Sequence, residues 1–223
     1  IKICTAEELM RIDIINLDAW VSNFLRRQGY EYQIVYDEEV DKAWRDAIAI
    51  AGGDLNFVEN FYKDEWVKVV QAQEVYDKVS YCKASRIGRG VRLDRKVRMQ
   101  IWDVFDEYQN IMNEKLQRDV ETAMYECRKI LENKKLTGQY TSIIVDEGQD
   151  LSPSAYRLLR SLAGDEHRND IFIVGDSHQR IYRNKAVLSK CGITVRGRSS
   201  YLRIYYRTTE EIRKFAFGLL NGV

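Results

Sequence analysis

Residues 143–147 read Ile-Ile-Val-Asp-Glu, a β-branched run that stops on two carboxylates. Such an apolar run predicts a buried strand, and charge at its carboxyl end suggests a site. In a nucleotide-hydrolysing α/β domain, the first carboxylate would stand near Mg²⁺ and the second beside the water that attacks the γ-phosphate. Asp146 and Glu147 fit those two roles. Taken alone, the pair also reads as a solvated turn, so the neighbouring runs decide the matter.

A second apolar run at 171–174 ends in Gly175-Asp176 and is followed by Gln179, a neutral side chain suited to a phosphate oxygen. A third, at 201–206, leads to Arg207, whose guanidinium suits charge on a transferring phosphoryl group. Ligands of open α/β sheets bind outside the carboxyl ends of the strands, so three charged strand ends point to one crevice.

The elements that position these residues follow from periodicity. Alternation over 11–16 predicts a strand, and Leu17, Val21, Phe24 and Leu25 predict a helix after it, closing on Gly29. From 30 to 137 the pattern is almost wholly helical. Val40, Ala43, Trp44, Ala47 and Ile48 form one stripe, Phe57, Phe61, Trp66 and Val69 another, with Gly52-Gly53 between them. A long helix is expected over 97–116 with Ile101, Val104, Phe105, Tyr108, Ile111 and Met112 on its core face, and another over 119–133. The α/β pattern then resumes with strand 141–146, helix 153–163, strands 171–175 and 201–206, and helix 209–220. Ser152 with Pro153 marks one helix start, Thr208 with Glu211 another, and Asn221-Gly222 an end.

Three stretches in this order, VDEGQDLSP (145–153), VGDSHQRIY (174–182) and YYRTTEEI (205–212), resemble motifs II, III and IV of the UvrD/Rep-like superfamily 1 DNA helicases. The resemblance is firmest over 140–212 and looser over 11–139. It implies an α/β fold, a partial RecA-like P-loop NTPase domain with a parallel sheet, interrupted by an all-helical inserted subdomain. The implied division is 1–29 and 139–200 for the first RecA-like domain, 30–138 for the insertion and 201–223 for the start of the second. The implied activity is ATP-dependent movement on single-stranded DNA and unwinding at duplex junctions, 3′ to 5′, with ATP and Mg²⁺ as cofactors.

By matching position, the resemblance makes Asp146 the Mg²⁺ residue, Glu147 the catalytic base, Gln179 the γ-phosphate contact and Arg207 the arginine finger. Gln149 and Asp150 match residues that couple nucleotide state to the DNA path, and Tyr182 matches the aromatic of motif III. Two departures bear on DNA. YRNKAVL (182–188) lacks the usual stacking aromatic, leaving Arg183, Asn184 or Lys185 to serve, and INLDAW (15–20) replaces a Thr-Phe-His segment, leaving Asn16 and Asp18 as backbone-contact candidates.

Residues 83–98 hold Lys83, Arg86, Arg89, Arg92, Arg95, Lys96 and Arg98 against one acid, Asp94. A phosphate backbone suits them, with Gly88 and Gly90 allowing close approach. The alternative is a solvated basic face or ion pairs within the chain.

No Gly-x-x-x-x-Gly-Lys-Ser/Thr occurs, so the loop that cradles nucleotide phosphates is missing from these residues. The chain opens on isoleucine, and the expectation is a piece of a longer motor protein, inactive by itself. A second reading is a nucleic-acid-binding or interaction module that has kept the fold without the motor. The composition, 45% hydrophobic and 31% charged, is that of a globular chain. Cys4, Cys82, Cys127 and Cys191 are widely spaced, which predicts reduced thiols in a cytoplasmic setting rather than zinc or a disulfide framework. No apolar run reaches membrane-spanning length, and no membrane partner is expected.

Overall fold

The computed structural model describes residues 5–53, 55–176, 186–202, 209, 211, 212, 214, 215 and 218. The chain forms two compact units, 1–193 and 194–223. In the second, Glu211, Ile212, Lys214, Phe215 and Gly218 are helical. The Thr209 hydroxyl accepts the Ile212 N–H at 3.4 Å, so the capping oxygen seen there belongs to Thr209. The expected cap Thr208, the closing pair Asn221-Gly222 and most of the expected strand 201–206 lie outside the described residues.

The first unit opens with α1 (Ala6–Leu9) and α2 (Leu17–Arg27). Between them, the strand expected over 11–16 does not form, and Ile12, Ile14 and Ile15 are exposed. Alternation defines two faces, but a strand also needs a neighbour for its backbone N–H and C=O groups, and this segment pairs with none among the described residues. Asn16 instead caps α2, its Oδ1 accepting the N–H groups of Asp18 and Ala19 at 2.9 and 3.3 Å.

Residues 30–137 correct the almost wholly helical expectation. β1 (Gln33–Val35) pairs in parallel with β2 (Gln117–Asp119), Ile34 opposite Arg118. Three-residue strands are too short to show a period, and the second is polar throughout. Between them lie α3 (Asp37–Ala51), α4 (Glu59–Glu65), α5 (Lys78–Lys83) and α6 (Arg95–Glu114). α4 runs directly into a π-helical turn, Trp66–Gln71, where hydrogen bonds widen to i→i+5 and Ala72 N–H reaches the Val67 carbonyl. The predicted stripes meet in one aromatic core. Trp44 stacks on Tyr108 at 4.0 Å between ring centres, and Trp66 meets Phe105 edge-on at 5.3 Å.

A second core joins α2, α7 (Val120–Asn133) and α8 (Pro153–Ala163) through Val21, Leu25, Ala123, Cys127, Leu131 and Leu158. α7, expected within the helical insertion, thus packs on α2 and α8. Burial pushes the Cys127 thiol up to about 12. Cys82, Cys127 and Cys191 are free thiols, and Cys4 lies outside the described residues.

β3 (Ile143–Val145) is followed by α8 and then β4 (Ile171–Ile173), which lies parallel to β3 with Val145 opposite Ile173. Ser152 Oγ accepts the Ala155 N–H at 3.1 Å and Pro153 sits at the first helical position, as expected. α8 covers one sheet face, where Val145, Tyr156 and Leu159 are buried with Ile171 and Ile173 against them. The other face corrects the expectation of a fully buried strand: Ile144 is 77% exposed and Phe172 63%. Side chains alternate across a strand, so one covering helix buries only every second residue. Among the described residues no helix is long and apolar enough to cross a membrane.

Candidate functional site

β3 ends at Val145 and delivers Asp146 and Glu147, both exposed, to the same end of the sheet as the residues that follow β4. Glu147 has φ 50° and ψ 38°, a left-handed conformation that costs a non-glycine residue about 1–2 kcal/mol. Its neighbours hold it there. Val174 N–H donates to the Val145 carbonyl, and Gly148 N–H to the Val174 carbonyl, each at 2.8 Å. From α8, the buried Tyr156 hydroxyl donates to the Gly148 carbonyl. Gly148 is required by space: an added Cβ would lie 2.4 Å from Ile173 Cγ2 and 2.9 Å from the Tyr156 hydroxyl. A 3₁₀ turn over Gly148–Asp150 follows, closed by Asp150 N–H on the Glu147 carbonyl at 3.0 Å.

Gln149 ties this turn to the end of β4. Its Nε2 donates to Glu147 Oε2 at 2.6 Å, and its Oε1 accepts the Asp176 N–H at 2.9 Å. A Cβ on Gly175 would stand 2.5 Å from that Oε1, so the missing side chain lets the amide lie against the backbone. Asp150 Oδ2 is 3.5 Å from the same Nε2, and its Oδ1 is buried with no hydrogen-bond partner among the described residues. Asp146 Oδ1 accepts the Glu147 N–H at 3.0 Å. Among the described residues no group of three or more His, Cys, Asp or Glu could hold a metal ion. One exposed carboxylate next to a second fits Mg²⁺ that brings phosphate and water as most of its ligands, the usual mode for this ion.

The structure thus brings Asp146, Glu147, Gln149 and Asp150 together with Asp176. Gln179, Tyr182, Arg183, Asn184, Lys185 and Arg207 lie outside the described residues. Tyr156 went unseen in the sequence, where it reads as one more aromatic on the core face of a helix. Gly148 did carry a signal, since a glycine amid four acidic or amide residues marks a tight backbone.

The basic stretch divides. Arg86 and Arg89 turn inward onto Glu65, which has no exposed surface, and their side chains keep only 5% and 11% exposure. Arg86 Nη2 and Arg89 Nε reach Glu65 Oε2 at 2.9 and 3.0 Å, and Tyr81 donates to Oε1 at 3.1 Å. Burial pushes the Glu65 carboxyl up, but the bonds and charge of the two guanidiniums outweigh it and hold the group below the ordinary range. The expectation that Arg86 and Arg89 face a phosphate backbone is corrected accordingly: a buried carboxylate takes their charge. Arg98 Nη1 donates to the carbonyls of Cys82 and Ala84 at 3.0 Å, closing the end of α5. Lys83, Arg92, Arg95 and Lys96 are exposed, around an open turn in which Gly88 and Gly90 have φ of 83° and 71°. Asn16 spends its Oδ1 on the α2 cap.

The model of the UvrD/REP helicase N-terminal domain family matches residues 8–188 of the chain. No curated protein matches it.

Proposed function

The chain belongs to the UvrD/REP helicase N-terminal domain family, and from that premise we propose that it serves an ATP-dependent DNA helicase that moves 3′ to 5′ on single-stranded DNA and opens duplex junctions. In this reading β3, α8 and β4 belong to a RecA-like domain, and α3 to α6 to a helical subdomain inserted in it. The observation that carries the proposal is the turn at the end of β3, where Glu147 is exposed, held left-handed and oriented by Gln149.

Glu147 is the general base. With Oε2 engaged by Gln149 Nε2, its other oxygen, unbonded among the described residues, takes a proton from the water that attacks the γ-phosphate. Asp146 holds nucleotide-bound Mg²⁺, directly or through water, and the ion supplies charge neutralisation at the phosphates. Gln149 and Asp150 couple this turn to the segment after β4, a role favoured by the bond from Asp176 N–H to Gln149. By motif position, Gln179 contacts the γ-phosphate, Arg207 stabilises the transferring group and Tyr182 lies near the nucleotide. Single-stranded DNA is bound by the exposed Arg92, with Arg183, Lys185 and Asn16 as further contacts. The phosphate-cradling loop is contributed from outside residues 1–223, so this chain alone is expected to show no turnover.

The test is ATP hydrolysis by the full-length protein, with and without single-stranded DNA, beside Glu147→Gln. We expect DNA-stimulated turnover that falls about 10²-fold or more in the variant, the usual worth of a general base. Turnover retained in the variant would remove Glu147 from the chemistry. No turnover in either protein would favour a binding module.

A further inference from the structure

The exposed cations of the basic loop and the Glu147 turn lie on different elements, yet a continuous set of contacts joins them. Arg86 and Arg89 anchor the loop to Glu65, and Glu65 is the residue from which the π-helical turn Trp66–Gln71 starts. That turn leads to Ala72 and to Glu74, a non-glycine residue at φ 56°. Arg157 of α8 reaches across to both: its Nη2 donates to the Ala72 carbonyl at 2.6 Å and its Nη1 to Glu74 Oε1 at 3.3 Å. Arg128 of α7 donates to Glu74 Oε2. Glu74 and Arg157 are 17% and 18% exposed, sheltered enough to escape most screening. The residue before Arg157 is Tyr156, whose hydroxyl holds the Gly148 carbonyl next to Glu147.

Nothing in the proposed chemistry uses Glu74 or Arg157. A π-turn inside a helix is rare and is frequently found at functional sites. A cavity of about 240 Å³, lined by Lys68, Gln71, Arg89, Glu121 and Ser154, lies between the loop and the start of α8. α8 is the rigid body between the two ends, since Tyr156 and Arg157 sit on the same turn.

We propose that Glu74 and Arg157 are positioning residues through which DNA held at the basic loop sets the geometry of the Glu147 turn, by way of the π-helical turn and α8. The inference rests on the reading of Glu147 as the base and of residues 83–98 as a DNA contact. Loss of either charge leaves the catalytic turn intact but disconnects it from the loop.

The experiment measures ATP turnover of the full-length protein with and without oligothymidylate, for wild type, Glu74→Gln and Arg157→Met, together with oligothymidylate affinity and Tm. The expected result is a loss of DNA stimulation of about fivefold or more in each variant, the low end of ordinary coupling between sites. DNA-free turnover, KM for ATP and DNA affinity stay within about twofold of wild type, and the double variant is no worse than either single one. Stimulation kept in both variants overturns the inference, as does a parallel fall of DNA-free and stimulated turnover with Tm, which would mark a structural contact only. Glu74→Gln keeps the shape of the residue, so it remains informative if Arg157→Met folds poorly. Glu147→Gln, run alongside, separates the premises: turnover surviving in that variant overturns the site reading and the inference with it.

Discussion

Replacing Glu65 tests whether the basic loop is built on a buried ion cluster. The carboxylate has no exposed surface and accepts from Tyr81, Arg86 and Arg89, whose two guanidiniums are themselves nearly buried. Glu65→Ala removes the acceptor and strands two positive charges away from water. Taking one partner from a buried pair typically costs about 3–5 kcal/mol, a large part of the 5–15 kcal/mol that holds an ordinary domain together. For a domain of this size that corresponds to a Tm lower by about 6–20 °C. Lys78→Ala, which breaks the exposed pair with Asp103, should cost under about 1 kcal/mol. Urea titration of both variants beside wild type reads the difference. The contribution of Glu65 also has a pH signature. Its folded carboxyl titrates below the unfolded value, so the stabilisation is present above about pH 4.3 and is lost as pH falls through the folded value. A Glu65→Ala protein as stable as Lys78→Ala, or one with an unchanged acid limb, would refute the reasoning.

Arg92→Ala and Lys96→Ala should each reduce the log–log salt slope of single-strand binding by about 0.7, whereas Arg86→Ala should lower stability; fluorescence titration with an oligonucleotide at several salt concentrations distinguishes them. Gly148→Ala should destabilise by about 1–3 kcal/mol in urea, because the added methyl meets Ile173 and the Tyr156 hydroxyl, and an unchanged midpoint would contradict the packing. Burial works against the Asp170 carboxyl, but Arg160 and the amides of Ile171 and His167 hold it at about 2. Its stabilisation is therefore full above the unfolded value of about 3.9 and lost as pH falls toward 2. Asp170→Asn should flatten acid denaturation across that window.

Helices were legible in the sequence because each long one carries an apolar stripe and a marked end. α8 agrees with its expected bounds at both ends, between Ser152 and Gly164. The short strands were not. β2 reads Gln-Arg-Asp and owes its pairing to β1, far away in the chain, while the alternation at 11–16 has no strand beside it among the described residues. At the site, Asp146 and Glu147 were visible because charge at the end of an apolar run is conspicuous. The hold exerted by Tyr156 was not, since a hydroxyl meeting a carbonyl eight residues back is a product of tertiary packing. Arg86 and Arg89 were misread for a similar reason. Local composition counts one acid among seven cations, and the carboxylate that pairs with Arg86 and Arg89 lies 21 and 24 residues upstream of them, inside the aromatic core.

The π-helical turn has a consequence for how this chain tolerates length changes. A π-turn holds one residue more than an α-helix would over the same span. Deleting one residue of 66–71 would let the segment close into a continuous α-helix over the same span, so the residues after it would keep their direction. Ala72 and Glu74 would then stay on Arg157, whereas the same deletion within α6 would rotate all that follows by about 100° about the helix axis. A shorter chain of this kind would be a more regular helix with its connection kept, so the surplus residue marks the place in this segment where a change of length costs least.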